Sequence, residues 1–522
     1  MKKLFFAALA LAAMVGCNDS FNEIEKTPTS GDSALLKVNI KSAGDLTRAG
    51  VPGDYKDGSD AENAVEKVDF YFFDAQGGAY AVNGVAGGDN FITYKPNFAA
   101  ENDKAYIEEI SDVVLVIKGA KQQLPTQVVA IVNGPAATTK SKAQLEAEVL
   151  TSLYDEDGNF VMSNSVYMDG TVKITATQIL PENIFTTTLG DEVTAPGTLT
   201  ELEGVNPIDI YVERVAAAVE VKIKEDNMYD TGVKYNAGEG NIYAKVLGWG
   251  VTNNTAEANL VKAIDAAWDA TTLGFQWNNA PFFRSYWAAT TAIPAHNLTF
   301  NALKAHNGAV DYYFENTKPA AEQNSVNPGE GNQTPQLLVA AQLVDKDGNA
   351  ISLGEWYGVQ YTIEDLKTVM VNTVASKLFV KNGETYVSVN KDDVEFYQMP
   401  DTTADNRYEV KMRAKEGIAY YDAAGVAADA NAILGAVNPA KMYTTGYTYY
   451  YTNINHYGTT TGVVRNHWYE VSLKSITGLG TPVYNPEHYI IPEKPEADEP
   501  AHLAAQINVL AWSLVQNDVE LN

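Results

Sequence analysis

Few side chains in this 522-residue chain have the types and spacing that chemistry on a substrate needs. There is one cysteine, Cys17, and none of the six histidines are four residues apart, as in the His-Glu-x-x-His pattern of zinc hydrolases. No phosphate-binding Gly-x-x-x-x-Gly-Lys-Ser/Thr motif occurs. We therefore predict no catalytic residues, no metal site and no cofactor, and hence no enzyme. A secreted hydrolase that uses a carboxylate pair among the 66 acidic residues stays an alternative.

Two acidic turns, 155–159 and 345–349, begin like calcium-binding loops. A helix–loop–helix calcium site has glycine at its sixth position and glutamate at its twelfth. The residues at these positions are Phe160 and Val166 in the first turn, and Ala350 and Trp356 in the second. We predict hairpin turns built on Asp-Gly pairs, with calcium as the alternative.

Cys17 follows a typical export signal. Lys2 and Lys3 precede an apolar run, 4–15, which is shorter than the roughly 20 residues needed to span a bilayer but suits the core of a signal peptide. Together with Gly16 and Cys17 the run resembles a bacterial lipobox. We predict that 1–16 is a lipoprotein signal peptide and that Cys17 is acylated, which anchors the precursor in the outer membrane. The alternative is an ordinary secretory signal.

Arg48 is the only arginine before Arg214, and it lies in a Gly- and Pro-containing loop of the kind that proteases reach. We predict that 17–48 is a propeptide, cut between Arg48 and Ala49 by an Arg-specific, trypsin-like protease. The alternative is a solvated loop arginine.

The propeptide contains a predicted strand, 35–41, in which apolar and polar side chains alternate. Leu36, Val38 and Ile40 share one face. We predict that these three side chains fill a groove in the first domain and that cleavage makes the strand removable.

A second β-prone segment lies at the C-terminus. A proline-rich, charged spacer, 492–500, precedes a long β-prone segment. An unpaired terminal strand invites association unless it has a docking place, so we predict that 501–522 is a donor strand. The alternative is the last strand of the chain's own sheet. The apolar side chains predicted to fill a groove are Ile507, Val509, Trp512, Leu514, Val519 and Leu521.

The whole composition fits these elements. Hydrophobic residues make up 45% of the chain, enough for buried cores, and the net charge of −29 repels phosphate backbones, so we predict no nucleic-acid partner. Turn residues separate many strand candidates, which favours an all-β protein with minor helices. The strand candidates are 65–73, 113–117, 128–132, 165–168, 171–176 and 208–223, and a helix is predicted over 140–154.

Several blocks, in order, resemble the Bacteroidales fimbrillin family, the type V pilins. They are the lipobox, the short strand, Thr47-Arg48-Ala49, the aromatic strand that ends Asp74-x-x-Gly77, and the blocks 212–223, 312–317 and 462–482. The Glu-Asn-Thr of 315–317 and the Val-Val-Arg-Asn of 463–466 are similar to the minor-fimbrium shaft branch of that family.

The resemblance implies two transthyretin-like Greek-key β-sandwich domains in tandem, 49–230 and 231–500. It implies a pilus shaft subunit at the cell surface, in a fimbrium that serves adhesion and biofilm formation. Subunits would join head to tail by donor-strand exchange, and the partners would be further copies of the chain, anchor and tip pilins, the maturation protease, and host or bacterial surface receptors. The alternative function is a glycan-binding surface lipoprotein, which would display exposed tryptophan pairs and undergo no proteolytic maturation.

Overall fold

A computed structural model describes residues 34–42, 58–96, 105–106, 113–118, 124–169, 172–186, 205–235, 240–264, 288, 298–306, 308, 310–317, 335–399, 409–456, 460–490, 502–510 and 516–517. Most of the elements are strands, which confirms the predicted all-β class with minor helices. The predicted division into two tandem sandwich domains, 49–230 and 231–500, stays a prediction.

The strands of the first half are β1 (Ala34–Ser42), β2 (Ala64–Val65), β3 (Val68–Phe73), β4 (Phe91–Tyr94), β5 (Ala105–Tyr106), β6 (Val113–Ile117), β7 (Gln127–Val132), β8 (Val149–Leu150), β9 (Met162–Asn164), β10 (Tyr167–Asp169), β11 (Val172–Ile174), β12 (Thr177–Gln178), β13 (Ile184–Thr186), β14 (Ile208–Arg214), β15 (Ala216–Lys222), β16 (Met228–Lys234), β17 (Asn241–Thr252) and β18 (Ala258–Asn259).

The strands of the second half are β19 (Val310–Phe314), β20 (Asn316–Thr317), β21 (Gln336–Val344), β22 (Leu353–Trp356), β23 (Val359–Tyr361), β24 (Phe379–Asn382), β25 (Thr385–Ser388), β26 (Val394–Met399), β27 (Glu409–Ala414), β28 (Tyr420–Tyr421), β29 (Ala440–Tyr443), β30 (Tyr447–Asn453), β31 (Asn455–His456), β32 (Thr460–Val463), β33 (Trp468–Thr477), β34 (Thr481–Pro482), β35 (His502–Leu510) and β36 (Gln516–Asn517).

The helices are α1 (Asp60–Asn63), α2 (Lys142–Glu146), α3 (Phe300–Ala305), α4 (Ile363–Asn372) and α5 (Ala430–Gly435), with 3-10 turns at Pro181–Asn183 and Lys391–Asp393.

The first sheet is built from the N-terminal part of the chain. Its strand order is β13-β1-β14-β9-β7-β3-β4, and β6 pairs with the other edge of β1. Inward-facing side chains from β1, β3, β6, β7 and β14 form one core, in which Phe70, Leu115 and Ile210 are buried. This core holds the site described below.

Two further sheets pack face to face as a β-sandwich. Their orders are β19-β15-β33-β35-β36 and β16-β17-β21-β30-β34. The core between them contains Val219 and Val471 from one sheet and Trp249, Val339 and Tyr450 from the other. Tyr449 faces a different core, so the tyrosines of 447–451 pack on alternate faces of the strand.

One unit is inserted between the paired strands β21 and β30. It contains the sheet β23-β22-β29-β27-β26, the sheet β25-β24-β28, and the helices α4 and α5. Leu366, Met370, Val410 and Leu434 belong to its own core. This insertion lies within the predicted second domain and is not apparent from the strand pattern of the sequence.

The predicted helix over 140–154 is wrong beyond its first turns. Ser141 caps α2, since its hydroxyl accepts the backbone N–H of Gln144. Helix α2 ends at Glu146 because Val149 and Leu150 pair with β18 instead. Tertiary strand pairing outweighs the four-residue spacing of apolar residues that suggested a long helix.

Both acidic turns are hairpin loops, as predicted. In the first, Asp155 Oδ1 accepts the backbone N–H groups of Asp157 and Asn159, at 3.0 and 2.8 Å. The second repeats this pattern at 345–349, and Gly158 and Gly348 both adopt positive φ. In both turns the first aspartate is therefore engaged by the loop's own amides.

Candidate functional site

The predicted removable strand is present as β1, and it lies inside the first sheet. Along 34–38 it pairs antiparallel with β6 on one side. On the other side it pairs antiparallel with β13 and then parallel with β14, from Val38 opposite Ile208 to Ser42 opposite Val212. We call the space between β6 and the pair β13/β14 the β1 slot.

The inward face of β1 is completely covered. Leu36 and Val38 are 0% exposed and Ile40 is 2% exposed. They share the core of the first sheet with inward side chains of the two flanking strands. Burial of an aliphatic side chain is worth about 1.5–3 kcal/mol, so three of them contribute roughly 5–9 kcal/mol as an upper estimate.

The outward face of β1 is less exposed to solvent than its alternating sequence predicts. Leu35 is buried with Val114 in a small second cluster, to which Val116 and Val205 also belong. Lys37 and Asn39 are half-buried. The Asn39 Nδ2 amide donates a hydrogen bond of 3.0 Å to Asp209 Oδ1 on β14. Both faces of β1 are therefore engaged by its neighbours.

Strand β6 depends on β1. Within the described residues its ladder partner is β1 alone, and its Val113, Leu115 and Ile117 face the same core. Loss of β1 would leave β6 without a backbone partner and would open an apolar trench beside β14.

The chain holds a second copy of this arrangement. β15 lies parallel to β33 and antiparallel to β19, just as β1 lies parallel to β14 and antiparallel to β6. Ala217 and Val219 of β15 face the sandwich core as Val38 and Ile40 face theirs. β15, however, continues directly from β14, with Val215 alone between them. The predicted single strand 208–223 therefore serves two sheets.

The C-terminal segment is partly placed. β35 pairs antiparallel with β33 from His502 opposite Thr477 to Leu510 opposite Trp468, and β36 folds back onto it. Ile507 and Val509 therefore stand in the ladder of the chain's own sheet, as the alternative for the first half of this segment predicts. The predicted donor residues Trp512, Leu514, Val519 and Leu521 lie outside the described residues, as do Cys17, Arg48 and Ala49.

Buried charges join the two halves of the chain. Lys262 Nζ lies 3.2 Å from Glu213 Oε2, and their side chains are 0% and 2% exposed. Burial raises the pKa of the Glu213 carboxyl, while the charges of Lys262 and Arg465 oppose that rise. Glu213 and Arg214 are the last two residues of β14 in the first sheet. Arg214 Nη1 donates a hydrogen bond to Asn466 Oδ1 at 3.2 Å.

Arg465 completes this network. It is fully buried, and its Nε donates to Glu315 Oε1 at 2.6 Å. Its other nitrogens donate to the backbone oxygens of Leu260 and Asn259, at 3.1 and 2.7 Å. The sequence blocks around 214, 315 and 465, singled out above only by resemblance, therefore meet in space. Their role here is to fix one sheet against the next.

In the described part of the chain, no three His, Cys, Asp or Glu side chains converge to hold a metal ion. Helices there are all too short or too polar to cross a membrane. Trp249, Trp356 and Trp468 are buried, so these three tryptophans form no exposed platform for a glycan.

Residues 441–518 match the sequence family described as "Major fimbrial subunit protein type IV, Fimbrillin, C-terminal". This part of the chain is therefore similar to the C-terminal region of fimbrillins. This confirms the family resemblance, while membership of the shaft branch stays a prediction. The matched residues include β33, β35 and β36, and they also include Arg465 and Asn466 of the buried network.

Among solved structures, a fimbrilin (FimA) from Porphyromonas gingivalis is 15% identical with a TM-score of 0.37, over 92% of this chain and 98% of that one. The tip fimbrial protein Mfa3 from the same species, with a C-terminal truncation, is 12% identical with a TM-score of 0.34, over 91% and 99%. No curated protein matches the chain. Because these TM-scores are low, we base the functional proposal on the family match and on the strand arrangement.

Proposed function

We propose that this chain is a structural shaft subunit of a type V pilus, exported as a lipoprotein precursor acylated at Cys17 and cleaved after Arg48. The subunits then polymerise by donor-strand exchange. The position of β1 carries this proposal: a strand that fills a core is the first strand of the described chain and precedes Arg48 by only a few residues. The match of 441–518 to fimbrillins supports it.

The two copies of this arrangement differ in how the central strand is attached, which supports exchange at β1 and not at β15. β15 is held at its N-terminal end by β14, so no cut near Arg48 can release it. β1 has no such continuity with its parallel neighbour, because it is joined to the rest of the subunit through the segment that contains Arg48. A cut there turns an intramolecular strand, held at high effective concentration, into one that can leave.

The proposed replacement is the C-terminal tail of the next subunit, added by β-strand pairing. β35 pairs with β33 along its whole length. The transfer of Ile507 and Val509 to a neighbour would therefore break the backbone hydrogen bonds between these two strands. The residues after β35, which include Trp512, Leu514, Val519 and Leu521, would reach a neighbour at the cost of the short β36 pairing alone. A slot near one terminus and a tail at the other give head-to-tail contacts, which generate a filament.

The partners that follow are further copies of this chain, anchor and tip pilins, and an Arg-specific trypsin-like protease. The mature subunit would lie in a cell-surface fimbrium and serve adhesion and biofilm formation through host or bacterial receptors. The precursor would remain lipid-anchored in the outer membrane.

The test is the N-terminus of subunits taken from filaments, which should begin at Ala49. The Arg48→Ala variant should accumulate as uncut monomer, because β1 then stays in its slot. The matched control is Arg413→Ala, which removes an arginine about half exposed on the inserted unit and should assemble normally. Normal filaments from Arg48→Ala, or subunits that retain 34–42, would overturn the proposal.

A further inference from the structure

The flanks of the β1 slot carry one charge. The strand segments that pair with β1 are Val113–Ile117, Ile184–Thr186 and 208–212, and Asp209 is the only charged residue among them. It lies on the outward face, directly opposite Asn39 in the parallel ladder. Asn39 donates to its carboxylate at 3.0 Å. When β1 leaves, Asp209 stays behind on β14 and loses the hydrogen bond from Asn39.

The tail cannot present all its apolar residues to the slot at once. Successive side chains of a strand point to opposite faces, so even- and odd-numbered residues are separated. Trp512 and Leu514 belong to one face, and Val519 and Leu521 belong to the other. A regular strand must therefore enter the slot with one pair or the other facing the core.

The two choices bring different side chains to Asp209. If Leu510, Trp512 and Leu514 take the places of Leu36, Val38 and Ile40, then Ser513 takes the place of Asn39. If Val519 takes the place of Val38 or of Ile40, then Glu520 or Asp518 stands against Asp209. A hydroxyl can donate to the carboxylate as Asn39 does, whereas like charges placed directly opposite each other destabilise a strand pair.

Core filling favours the same choice. Among the residues that follow Val509, only Leu510, Trp512 and Leu514 supply three apolar side chains at alternate positions, because every other set of three alternate positions includes a polar residue such as Ser513, Gln516 or Asn517. Leu510 ends β35, so its use unpairs one terminal residue of that strand, and the extension of the tail also unpairs β36 from Ile507 and Asn508. Trp512 is larger than Val38, and β6, which pairs with β1 alone in the described residues, is free of other ladder contacts that would oppose its shift.

We propose that Asp209 sets the register of the incoming strand: it accepts a hydrogen bond from Ser513 of the next subunit and excludes the acidic registers of 517–521. This inference rests on the proposed strand exchange and adds a specificity-determining residue to it. The passage from β35 into the neighbouring slot would then resemble the passage from β14 to β15 within one chain.

Disulfide trapping in filaments tests the register. Tyr211 lies two residues beyond Asp209 on the same strand, opposite Lys41. Tyr211→Cys should therefore form an inter-subunit disulfide with Val515→Cys, and not with Glu520→Cys or Asn522→Cys, the partners in the Asp518 and Glu520 registers. Mature subunits have no other cysteine, since the only one is Cys17.

Changing Asp209 should change which pair reacts. Asp209→Lys should shift the ratio of trapped pairs by about tenfold toward 520 and 522, and the isosteric Asp209→Asn should reduce the preference for 515 without reversing it. The matched control, Asp157→Lys, changes an exposed aspartate in a hairpin loop of the same half and should leave the ratio unaltered.

The outcomes separate this inference from the proposed function. Trapping mainly through 520 or 522 with Asp209 intact would overturn the register assignment and leave strand exchange standing. An unchanged ratio in both Asp209 variants would also overturn it. Filaments that show no disulfide for any of the three pairs would overturn strand exchange into this slot itself.

Discussion

At the scale of single residues, His467 shows what burial does to a titrating group. Burial lowers its pKa to about 3, from an ordinary value of 6.5. Its Nδ1 lies 2.8 Å from the backbone oxygen of Arg465, and its ring meets that of His456 at 5.1 Å between centroids. A proton on His467 would therefore add a buried charge close to the positive charge of Lys262, and burial is the larger of these two penalties.

This pKa gives a pH dependence of stability. The folded state binds fewer protons than the unfolded state between pH 6.5 and about 3, so the contribution of His467 is complete above pH 6.5 and is lost as the pH falls through that window. Lowering the pH from 7 to 4.5 should cost roughly 2–3 kcal/mol from this group. In urea unfolding of the precursor, His467→Gln should lose less stability over this pH range than the wild type does. Equal losses would contradict the assignment.

Arg465 illustrates a paired buried charge. Arg465→Met should lower the free energy of unfolding by about 3–5 kcal/mol, because it leaves the Glu315 carboxylate buried and unpaired. The double variant Arg465→Met/Glu315→Leu should recover part of this loss, since it removes the stranded charge. Urea denaturation of the two variants checks the sign of the coupling. A double variant less stable than the single one would show that Glu315 is satisfied without Arg465.

At the scale of elements, β1 should matter before assembly and not after it. Ile40→Ala should destabilise the uncut precursor by about 2–5 kcal/mol, because it opens a cavity in the core of the first sheet. It should leave the denaturation midpoint of filaments unchanged, because the proposed cleavage and exchange remove the strand from their subunits.

Ile210 on β14 is the matched comparison for Ile40. It faces the same core and is equally buried, but it stays in the mature subunit. Ile210→Ala should therefore weaken both the precursor and the filament, as measured by chemical denaturation. If Ile40→Ala weakened the filament to the same extent, β1 would still be part of it.

For the whole molecule, the sequence predicts individual strands better than it predicts which strands pair with each other. Alternation of Leu36, Val38 and Ile40 was enough to predict β1, but nothing in it indicated a parallel pairing with β14 more than 160 residues away. The pattern of 208–223 likewise could not show that the strand changes sheets at Val215, because alternation records a buried face and not which sheet buries it.

The inserted unit had a readable signal that was missed. Thr362 accepts the N–H of Asp365 as an N-cap, and Leu366 and Met370 follow at four-residue spacing, as a helix start predicts. What the sequence could not show is that this helix belongs to a separate core, since that depends on packing within 353–443. The contact between Arg214 and Asn466, which are 252 residues apart, likewise depends on packing that the sequence pattern does not show.

The insertion leads to a prediction about the architecture. β21 and β30 pair up to Gln342 opposite Tyr447, so the two ends of the insertion leave neighbouring positions. Replacing 345–444 by Asn-Gly should close these strands with a two-residue hairpin loop. The sandwich should remain folded and still form filaments. It should lose about 2–4 kcal/mol, because Leu343 and Ile242 no longer pack against Leu353 and Tyr443.

The excised unit supplies the control for that deletion. Since 353–443 has its own core, residues 345–444 expressed alone should unfold cooperatively, as followed by the near-ultraviolet signal of its aromatic residues. A deletion variant that fails to fold, together with an excised unit that does fold, would mean that the sandwich needs the insertion for more than the contacts around Leu343. If both pieces fold and only filament formation is lost, the insertion itself takes part in the contact between subunits.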